Sequence, residues 1–372
     1  SRRRHTRFKC DWSSDVCSSD LTPNELVDPG IKPALSTARE VGLDLRFLQS
    51  RIGLSATYYN ENKKNEILSV PVTGASGFTS KKINAGQIQR YGLELSLDGT
   101  VIKTNNFSWD VTVNWARNRS KIIDLVEGID AIAQSGANDA FGFASVYNVK
   151  GKSWGQLRGF AIDRNEQGQP ILDADGFYVP KQNQYLGSVL PDFIGGVINQ
   201  LRYKNFSLSV NVDYQHGGRF FSLSDFWGTF SGLTIRTASL NDRGQPVRQS
   251  VADGGGVHVT GVDENGEAVD KYVDGKLYYQ QWGNSGIAEN SVYDLTFVKL
   301  REMNLTWQVP VSKLGKLGNV FTSASFALVG RNLWLIKSNV RDFDPSEISG
   351  TFGENGQFPG TRSYGFNVKL GF

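Results

Sequence analysis

The stretch TRSYGFNVKLGF, residues 361–372, ends the chain on an aromatic side chain. The ends of soluble proteins are usually polar and frayed, because nothing holds the last residues in place. In this stretch apolar residues alternate with polar or small residues as far as the last position, at Tyr364, Phe366, Val368, Leu370 and Phe372. An apolar residue at every second position is typical of a half-buried β-strand. The stretch therefore predicts a strand that runs to the last residue.

Eight further segments show the same alternation. In the clearest of them, FSLSVNVDYQ (residues 206–215), every second residue is apolar and the others are polar. The nine segments are residues 40–47, 51–59, 91–99, 107–116, 193–203, 206–215, 298–309, 321–330 and 361–372. Each is about 9–11 residues long, the length that a tilted strand needs to cross the hydrocarbon layer of a bilayer. The pattern predicts an all-β fold with about nine strands.

The connections between these segments alternate in length. Short ones follow Leu48, Asp98, Tyr203 and Val309, and long ones lie between them. Transmembrane barrels have this arrangement, with short periplasmic turns and long extracellular loops. A soluble sandwich or propeller also shows alternation, but it predicts loops of mixed length and does not account for an apolar last residue. The sequence therefore favours an antiparallel transmembrane barrel.

The composition excludes two other classes of protein. No run of the 372 residues approaches the ~20 apolar residues of a membrane helix, and the mean hydropathy is −0.33. Five of the 40 basic residues and three of the 37 acidic residues lie in the first 21 positions, so the remainder is close to neutral. The near-neutral charge argues against nucleic acid as a partner.

The first 21 residues differ from the rest of the chain. SRRRHTRFKCDWSSDVCSSDL lacks the apolar centre of a signal peptide and resembles the translation of a sequencing-library adaptor. We therefore expect residues 1–21 to be foreign to the native protein and residues 22–372 to form part of one barrel. Both cysteines, Cys10 and Cys17, lie in this segment, so the remainder has no thiol or disulfide chemistry.

A series of motifs in residues 22–372 resembles one family of outer-membrane proteins. The motifs are INAGQIQRYGLELSL (83–97), LGSVLPDFIGGVINQLRYKNFSLSV (186–210), DLTFVKLREMNLTWQVP (294–310), LVGRNLWLI (328–336), DFDPSE (342–347) and the terminal strand. In this order they are similar to the C-terminal part of the barrel of SusC/RagA-type TonB-dependent transporters. The resemblance implies a 22-stranded barrel, of which this chain supplies about nine strands. An open sheet of nine strands would leave two edges unpaired in lipid, at a cost on the order of tens of kcal/mol.

The resemblance also implies a function and a set of partners. Such a protein imports oligosaccharides or oligopeptides that a SusD-like surface lipoprotein captures, and TonB acts on a plug encoded upstream of this chain. The chain would lie in the outer membrane with its C-terminus on the periplasmic side, and no cofactor is implied. In this family the last strand is the signal for the barrel-insertion machinery, here Tyr364, Gly365, Val368, Leu370 and Phe372. A β-rich surface protein that binds glycans without transport, and a passive porin-like barrel, are the alternatives.

Aromatic residues crowd one long connection. They are Phe220, Phe221, Phe226, Trp227, Phe230, Tyr278, Tyr279 and Trp282. Aromatic rings combine a large apolar face with polar edges, so they suit both sugar rings and protein partners. We expect these residues to bind substrate or contact a lid, and packing of loop on loop is the alternative.

The remaining polar groups predict neither catalysis nor a metal site. Beyond residue 21 the only histidines are His216 and His258, and no group of acid, base and nucleophile stands out, so we expect no enzyme activity. DRNEQGQPILDADG (163–176) is similar to a calcium loop, but Ala174 stands where a bidentate glutamate is required. Asx-turn chemistry accounts for the segment without metal. Polar residues expected to line the lumen are Asp44, Arg46, Glu94, Asp110, Asn114, Asn211 and Asp213.

Overall fold

The structure is a computed structural model that describes residues 25–84, 86–126, 128–138, 142–313, 315–316, 320–340, 343–348, 350 and 353–372. Residues 1–21, which we expect to be foreign to the native protein, lie outside the described residues. Asp342 of the DFDPSE motif lies outside them too.

Strands make up most of the described chain. In chain order they are β1 (Glu25–Val27), β2 (Leu35–Phe47), β3 (Ile52–Lys64), β4 (Ile67–Pro71), β5 (Ser80–Asn84), β6 (Gln87–Lys103), β7 (Phe107–Asp124), β8 (Ala131–Asn138), β9 (Ala144–Val149), β10 (Gln156–Ile162), β11 (Pro180–Ser188), β12 (Phe193–Tyr203), β13 (Phe206–His216), β14 (Arg219–Ser222), β15 (Val257–Val262), β16 (Ala268–Val273), β17 (Val292–Asp294), β18 (Phe297–Val309), β19 (Ser323–Ser338), β20 (Gly353–Glu354) and β21 (Ser363–Gly371). The α-helices are α1 (Leu223–Phe230) and α2 (Gly275–Ser285). Short 3-10 turns lie at Gly74–Ser76, Ile235–Ala238, Val251–Asp253, Glu289–Ser291, Val311–Lys313 and Pro345–Glu347.

One large antiparallel sheet, here called the wall sheet, organises the molecule. Its strand order is β2-β3-β6-β7-β12-β13-β18-β19-β21, and each of these strands covers all or most of one of the segments predicted from alternation. The terminal strand ends at Gly371, one residue before the predicted end. The all-β fold is confirmed. In the described part of the chain the wall sheet is open, with β2 and β21 at its edges, as expected for an incomplete barrel.

Several wall strands are longer than the alternation predicts. β7 has 18 residues, and its pairing with β6 continues until Asp124 lies opposite Gln87. Residues 117–121 (RNRSK) are all polar, so the alternation ends there although the backbone ladder continues. The turn predicted after Asp98 lies instead at residues 104–106, because β6 continues to Lys103 beyond a register shift.

The two faces of the wall sheet have opposite chemistry. On one face apolar side chains of neighbouring strands lie side by side without cover, among them Val41, Leu43, Leu97, Leu305, Leu328, Phe366 and Val368. Val41 is 72% exposed and Phe366 is 73% exposed. An uncovered apolar face of this extent suits contact with lipid, as on the outside of a transmembrane barrel.

The opposite face carries the polar residues predicted to line the lumen. Ion pairs and hydrogen bonds link its neighbouring strands: Arg46 Nη1 lies 2.7 Å from an Asp98 carboxylate oxygen, and the Ser96 hydroxyl donates to Asn114 at 2.8 Å. Alternation along each strand and the pairing register place all seven of the predicted residues on this face. The alternation therefore identified the two faces correctly.

The long connections fold into small sheets at one end of the wall sheet. They include the four-stranded sheet β11-β10-β9-β8, the three-stranded sheet β17-β14-β20 and the hairpin β15–β16. Residues of two connections share a buried core, here called the loop core: Ala144, Val146, Leu157, Ile162, Phe221, Leu223, Phe226, Trp282, Ile287 and Ala288. The loops are thus packed structures with their own hydrophobic interior.

Within the described residues, no helix has both the length and the apolar character needed to cross a membrane.

Candidate functional site

Helix α1 positions three of the predicted aromatic residues. It begins after Ser222, whose hydroxyl accepts a hydrogen bond from the Asp225 backbone N–H at 3.1 Å. The Asp225 carboxylate lies in the first turn, where it complements the helix dipole. It also pairs with Arg236 and accepts a hydrogen bond from the Ser291 hydroxyl at 2.6 Å. These contacts fix the helix against the segments on either side of it.

Helix α2 positions three more of the predicted aromatic residues, and the remaining two, Phe220 and Phe221, lie on β14. Its first turn is capped by Asp274, whose carboxylate accepts a hydrogen bond from the Leu277 N–H at 3.0 Å. The helix ends at Gly286, which has a φ of 69°. A Cβ atom at this position would lie 2.9 Å from the Phe143 ring. Glycine therefore ends the helix and also allows it to pack closely on Phe143.

The rings on α1 form one cluster. The Phe226 ring centroid lies 5.0 Å from that of Phe143 and 5.5 Å from that of Phe221. Trp227 packs edge to face against both Phe226 and Phe230, with 5.3 and 5.2 Å between ring centroids. Edge-to-face pairs contribute about 0.5–1.5 kcal/mol each beyond their buried area. The cluster therefore stabilises the helix in its place.

The rings on α2 form a second cluster. Trp282 stacks on Tyr178 with 5.6 Å between ring centroids, and Tyr278 packs edge on against Trp282 at 5.5 Å. Burial raises the pKa of the Tyr278 hydroxyl, so this group stays protonated at physiological pH. The Tyr279 hydroxyl donates to the backbone carbonyl of Arg236 at 2.6 Å. This contact links α2 to the segment that follows α1.

The predicted aromatic residues divide into two groups by exposure. Phe220, Phe221, Phe226 and Trp282 are buried, with at most 4% of their surface exposed. Trp227, Phe230, Tyr278 and Tyr279 are half-buried. In this arrangement the first group packs the interior of the loops, which is the role that the sequence left open as the alternative. The second group keeps ring surface that a ligand or a partner could contact.

The segment similar to a calcium loop is an Asx turn. The Asn165 side-chain oxygen accepts hydrogen bonds from the Gln167 and Gln169 backbone N–H groups, at 3.1 and 2.9 Å. Lys181 Nζ lies 2.7 Å from the Asp163 carboxylate and, as the largest influence, lowers its pKa. Among the described residues no cluster of three or more His, Cys, Asp or Glu side chains has a geometry suited to a metal ion.

A buried ionic network, absent from the sequence analysis, joins the DFDPSE segment to the wall sheet. Lys299 on β18 is 1% exposed, and its Nζ lies 2.5 Å from Asp344 and 3.3 Å from Glu347. Arg301 lies 3.0 Å from Glu347 and 2.6 Å from Asp213 on β13. Three elements therefore meet through five charged side chains.

A β-bulge makes this network possible, and the sequence contains a signal for it. The register between β13 and β18 shifts after Leu300, so Arg301 has no residue opposite it in the backbone ladder with β13, although its side chain pairs with Asp213. Along β18 the apolar positions accordingly change from even numbers at Val298 and Leu300 to odd numbers at Met303. That change of parity predicts a bulge, and a bulge can direct an additional charged side chain to the polar face.

His258 is the centre of a second charged cluster that the sequence did not predict. Its Nδ1 lies 2.7 Å from Asp242 and its Nε2 lies 2.7 Å from Asp270. Its ring stacks on Tyr272, and the Arg243 guanidinium lies 3.4 Å from the centre of that tyrosine ring. The hydrogen bond with Asp270, followed by the charge of Asp242, raises the pKa of His258. The cluster joins the turn at residues 240–246 to the hairpin β15–β16.

The terminal strand β21 lies at an edge of the wall sheet. It pairs with β19 so that Val368 lies opposite Phe326, and Leu370 lies opposite Ala324. All five residues of the predicted assembly signal lie in or directly after this strand. Phe372 is 83% exposed, with its ring 5.0 Å from that of Phe321. Among the described strands none pairs with the second edge of β21, so a further strand could add there.

Three comparisons relate the chain to known proteins. Residues 16–213 match the family described as TonB dependent receptor-like, beta-barrel. TonB-dependent receptor P26 of Formosa agariphila is 26% identical over 92% of this chain and 34% of its own length. TonB-dependent receptor SusC of Bacteroides thetaiotaomicron is 26% identical over 48% of this chain and 19% of its own length.

Solved structures show the same fold. The RagAB peptide importer in its closed-closed state superposes with a TM-score of 0.63 at 18% identity, over 91% of this chain and 35% of the matched chain. The chain thus spans about a third of the length of P26 and of the matched RagAB chain. The family match covers more than half of the sequence, and the wall sheet has the two-faced architecture of such a barrel. The chain belongs to the TonB-dependent receptor β-barrel family, whose members are barrels of the outer membrane.

Proposed function

We propose that this chain is the C-terminal barrel part of an outer-membrane importer of oligosaccharides that works with a SusD-like surface lipoprotein. The observation that supports this most directly is the wall sheet, which is apolar and uncovered on one face and hydrogen-bonded and polar on the other. The polar face suits the wall of an aqueous path through the membrane. Energy for import would come from TonB acting on a plug that precedes this chain in the complete protein.

The packed loops support the proposed lipoprotein partner. Their shared core makes them a packed surface, and the half-buried rings of Trp227 and Tyr278 pack against that core. A preformed surface loses little conformational entropy when a lid binds. We propose that Trp227, Phe230, Tyr278 and Tyr279 supply the ring surface that faces substrate or lid.

Oligopeptides are the alternative substrate. The structural matches are titled as a peptide importer and a peptide transporter, whereas one sequence relative carries the name SusC. The similar fold alone does not favour either ligand, because one fold supports many specificities. The relatives are named as receptors and not as enzymes, which agrees with the absence of a predicted catalytic group.

The ends of the strands support an orientation in the membrane. The end of β21 pairs with the start of β19, next to the shorter connections of the wall sheet. Short turns lie on the periplasmic side in transmembrane barrels. We therefore propose that Phe372 lies on the periplasmic side, where the insertion machinery would recognise the terminal strand. We also propose that residues 1–21 are foreign, which a long sequencing read across the gene would test.

Deletion of the complete gene tests the function. The mutant is grown with single oligosaccharides or oligopeptides as the carbon source, and the full-length gene is restored as a control. Loss of growth on a glycan supports the proposal, and loss on peptides alone favours the alternative. Import that continues after a protonophore collapses the inner-membrane gradient would indicate a passive barrel. Unchanged growth and uptake on every compound would contradict import.

A further inference from the structure

The polar face of the wall sheet has two adjoining clefts of opposite charge. They meet at Ala116 and Ile194, which line both. The larger cleft, of about 720 Å³, contains the carboxylates of Glu94 and Asp213, and no lysine or arginine lines it among the described residues. The smaller cleft, of about 340 Å³, is lined by two arginines and by no described carboxylate. We call the smaller one the arginine cleft; its main residues are Tyr59, Arg90, Asn118, Arg119, Trp154 and Leu190.

The apolar side of the arginine cleft is held in place by the connection between β7 and β12. The Trp154 backbone N–H donates to the Ser120 hydroxyl at 3.0 Å, and the ring packs against a buried cluster that includes Ile122 and Leu125. Leu190 continues this apolar side.

The polar groups that line the cleft are also fixed. The Tyr59 ring lies against Gly92, where an added Cβ would come within 2.7 Å of the ring. The Tyr59 hydroxyl donates to the Asn118 side-chain oxygen at 2.8 Å. Arg119 donates to the Pro191 carbonyl at 3.2 Å and pairs with an aspartate at the margin. These contacts prepare the polar side for a ligand without rearrangement.

Arg90 is the less tightly paired of the two arginines. Its guanidinium lies 3.5 Å from Glu61, longer than a usual charge-assisted hydrogen bond, and the side chain is 41% exposed. A guanidinium can bind a carboxylate or a sulfate through two parallel hydrogen bonds. Trp154 and Leu190 line the same cleft as these polar groups and give it apolar surface. A flat ring with an apolar face and charged or hydroxylated edges matches both kinds of surface at once.

We propose that the arginine cleft is a subsite for an acidic sugar, a pyranose ring that carries a carboxylate or a sulfate group. The sugar packs its apolar face on Trp154 and pairs its anionic group with Arg90. The volume of the arginine cleft falls within the range of about 300–1,000 Å³ that is usual for ligand sites. The proposal rests on the proposed import function and names the chemical class of substrate for it.

The test uses the full-length receptor purified in detergent, with binding measured by isothermal titration calorimetry. The probes are tri-galacturonate, neutral maltotriose and tri-alanine. Tri-galacturonate is expected to bind at least about tenfold more tightly than maltotriose, since a hydrogen-bonded ion pair contributes that much or more. Raised salt should weaken only the acidic probe. Arg90→Gln and Trp154→Ala should each weaken it by about tenfold, whereas Arg202→Gln, an exposed arginine elsewhere on the wall sheet, should not.

The outcomes separate this inference from the proposed function. Equal binding of the acidic and neutral probes, or absence of binding by the acidic one, overturns the subsite. Binding of tri-alanine that depends on Arg90, without binding of tri-galacturonate, overturns it in favour of a peptide. If cells import a glycan normally and the Arg90→Gln receptor is unimpaired in uptake, the subsite fails while the import function stands. If deletion of the gene affects no uptake at all, the import function fails.

Discussion

At the scale of single residues, the buried charge of Lys299 determines how one long loop is attached. The lysine belongs to the wall sheet, and its partners Asp344 and Glu347 belong to the loop between β19 and β21. A lysine that is 1% exposed would be unfavourable without these carboxylates, because desolvation of an ion costs several kcal/mol. The pair therefore specifies one position of the loop on the wall.

Replacement of this lysine should release the loop. Lys299→Met leaves the Asp344 carboxylate without its cation, whereas Glu347 keeps its pair with Arg301, and we expect a destabilisation of about 3–5 kcal/mol. Hydrogen exchange of the full-length receptor should show faster exchange at residues 343–348 and 353–362. Lys337→Met, an exposed lysine on β19, is the control and should leave exchange unchanged. Unaltered protection in Lys299→Met would contradict the role of the ion pair.

His258 should make its hairpin sensitive to pH. The folded pKa is raised above 6.5, so protonation stabilises the cluster at pH values below 6.5, and this contribution is lost as the pH rises through the folded pKa. The groups that face the ring are Asp242, Asp270 and Tyr272, with Arg243 on the far side of the tyrosine.

Amide exchange across residues 257–262 and 268–273, corrected for its intrinsic pH dependence, measures this effect. Protection should fall as the pH rises above 6.5 in the native receptor and should be flat in His258→Gln. His216→Gln, at a histidine outside this cluster, should show the same fall in protection as the native receptor. A pH response that survives in His258→Gln would disprove the assignment.

Residues on the polar face were predictable, and the charged clusters were not. Asp110 and Asn114 alternate with apolar neighbours within one short segment, so their face is legible locally. Lys299 and Asp344 are 45 residues apart in sequence, and their contact depends on how the chain returns to the wall. The parity change at Arg301 was the only local signal of the first cluster. The His258 cluster depends in part on a turn that precedes its hairpin, which alternation does not encode.

At the scale of elements, the terminal strand is an ordinary member of the wall sheet with one free edge in the described chain. Its apolar residues face the same side as those of β19. This arrangement leaves the backbone groups of the outer edge available for pairing by β-augmentation. The strand can therefore act as a signal during assembly and as one strand of the barrel wall afterwards.

Removal of the last aromatic ring tests the assembly role. Phe372→Ser in the complete protein should lower the amount of receptor in the outer membrane several-fold, because the proposed signal ends in an aromatic residue. Quantitative immunoblotting of outer-membrane fractions measures it. Leu233→Ser removes a similarly exposed apolar side chain from a loop and should leave the amount unchanged. Equal amounts of Phe372→Ser and native protein would count against the terminal signal.

The loop core should depend on Trp282 more than on any exposed ring. Trp282→Ala removes a ring that is 4% exposed and stacked on Tyr178, and we expect a loss of about 3–5 kcal/mol in the stability of the loops. Limited proteolysis of whole cells measures it, with increased cleavage in residues 217–296. Phe358→Ala, at a ring that is 96% exposed, is the control. Normal protease resistance of Trp282→Ala would contradict the packing role.

The elements of the loops were the least predictable part of the fold. Their strands are short, as in Arg219–Ser222, and are held by partners far away in the sequence. The aromatic residues were identified as a group, but their division into buried and half-buried depends on the packing of α1 on α2. In contrast, each wall strand is long enough to show several periods of alternation.

At the scale of the whole molecule, the wall sheet and the loops have different surroundings. The wall sheet exposes an apolar face that no part of the described chain covers, whereas the loops bury a core of apolar residues among themselves. A protein in water would bury both, because exposed apolar patches of this size lead to association. The difference is explained if lipid surrounds the wall and water surrounds the loops.

The central claim is that alternate residues of the wall strands face lipid and an aqueous lumen, and spin labels test it directly. Residues 22–372 contain no cysteine, so single cysteines can be introduced along residues 207–213 of β13 in the full-length receptor, after any upstream cysteines are replaced. Accessibility to oxygen, which concentrates in lipid, and to a water-soluble nickel complex is then measured by electron paramagnetic resonance. Labels at Leu208, Val210 and Val212 should be accessible to oxygen. Labels at Ser209 and Asn211 should be less accessible to it. Equal accessibility at successive positions, or the inverse alternation, would contradict the barrel wall.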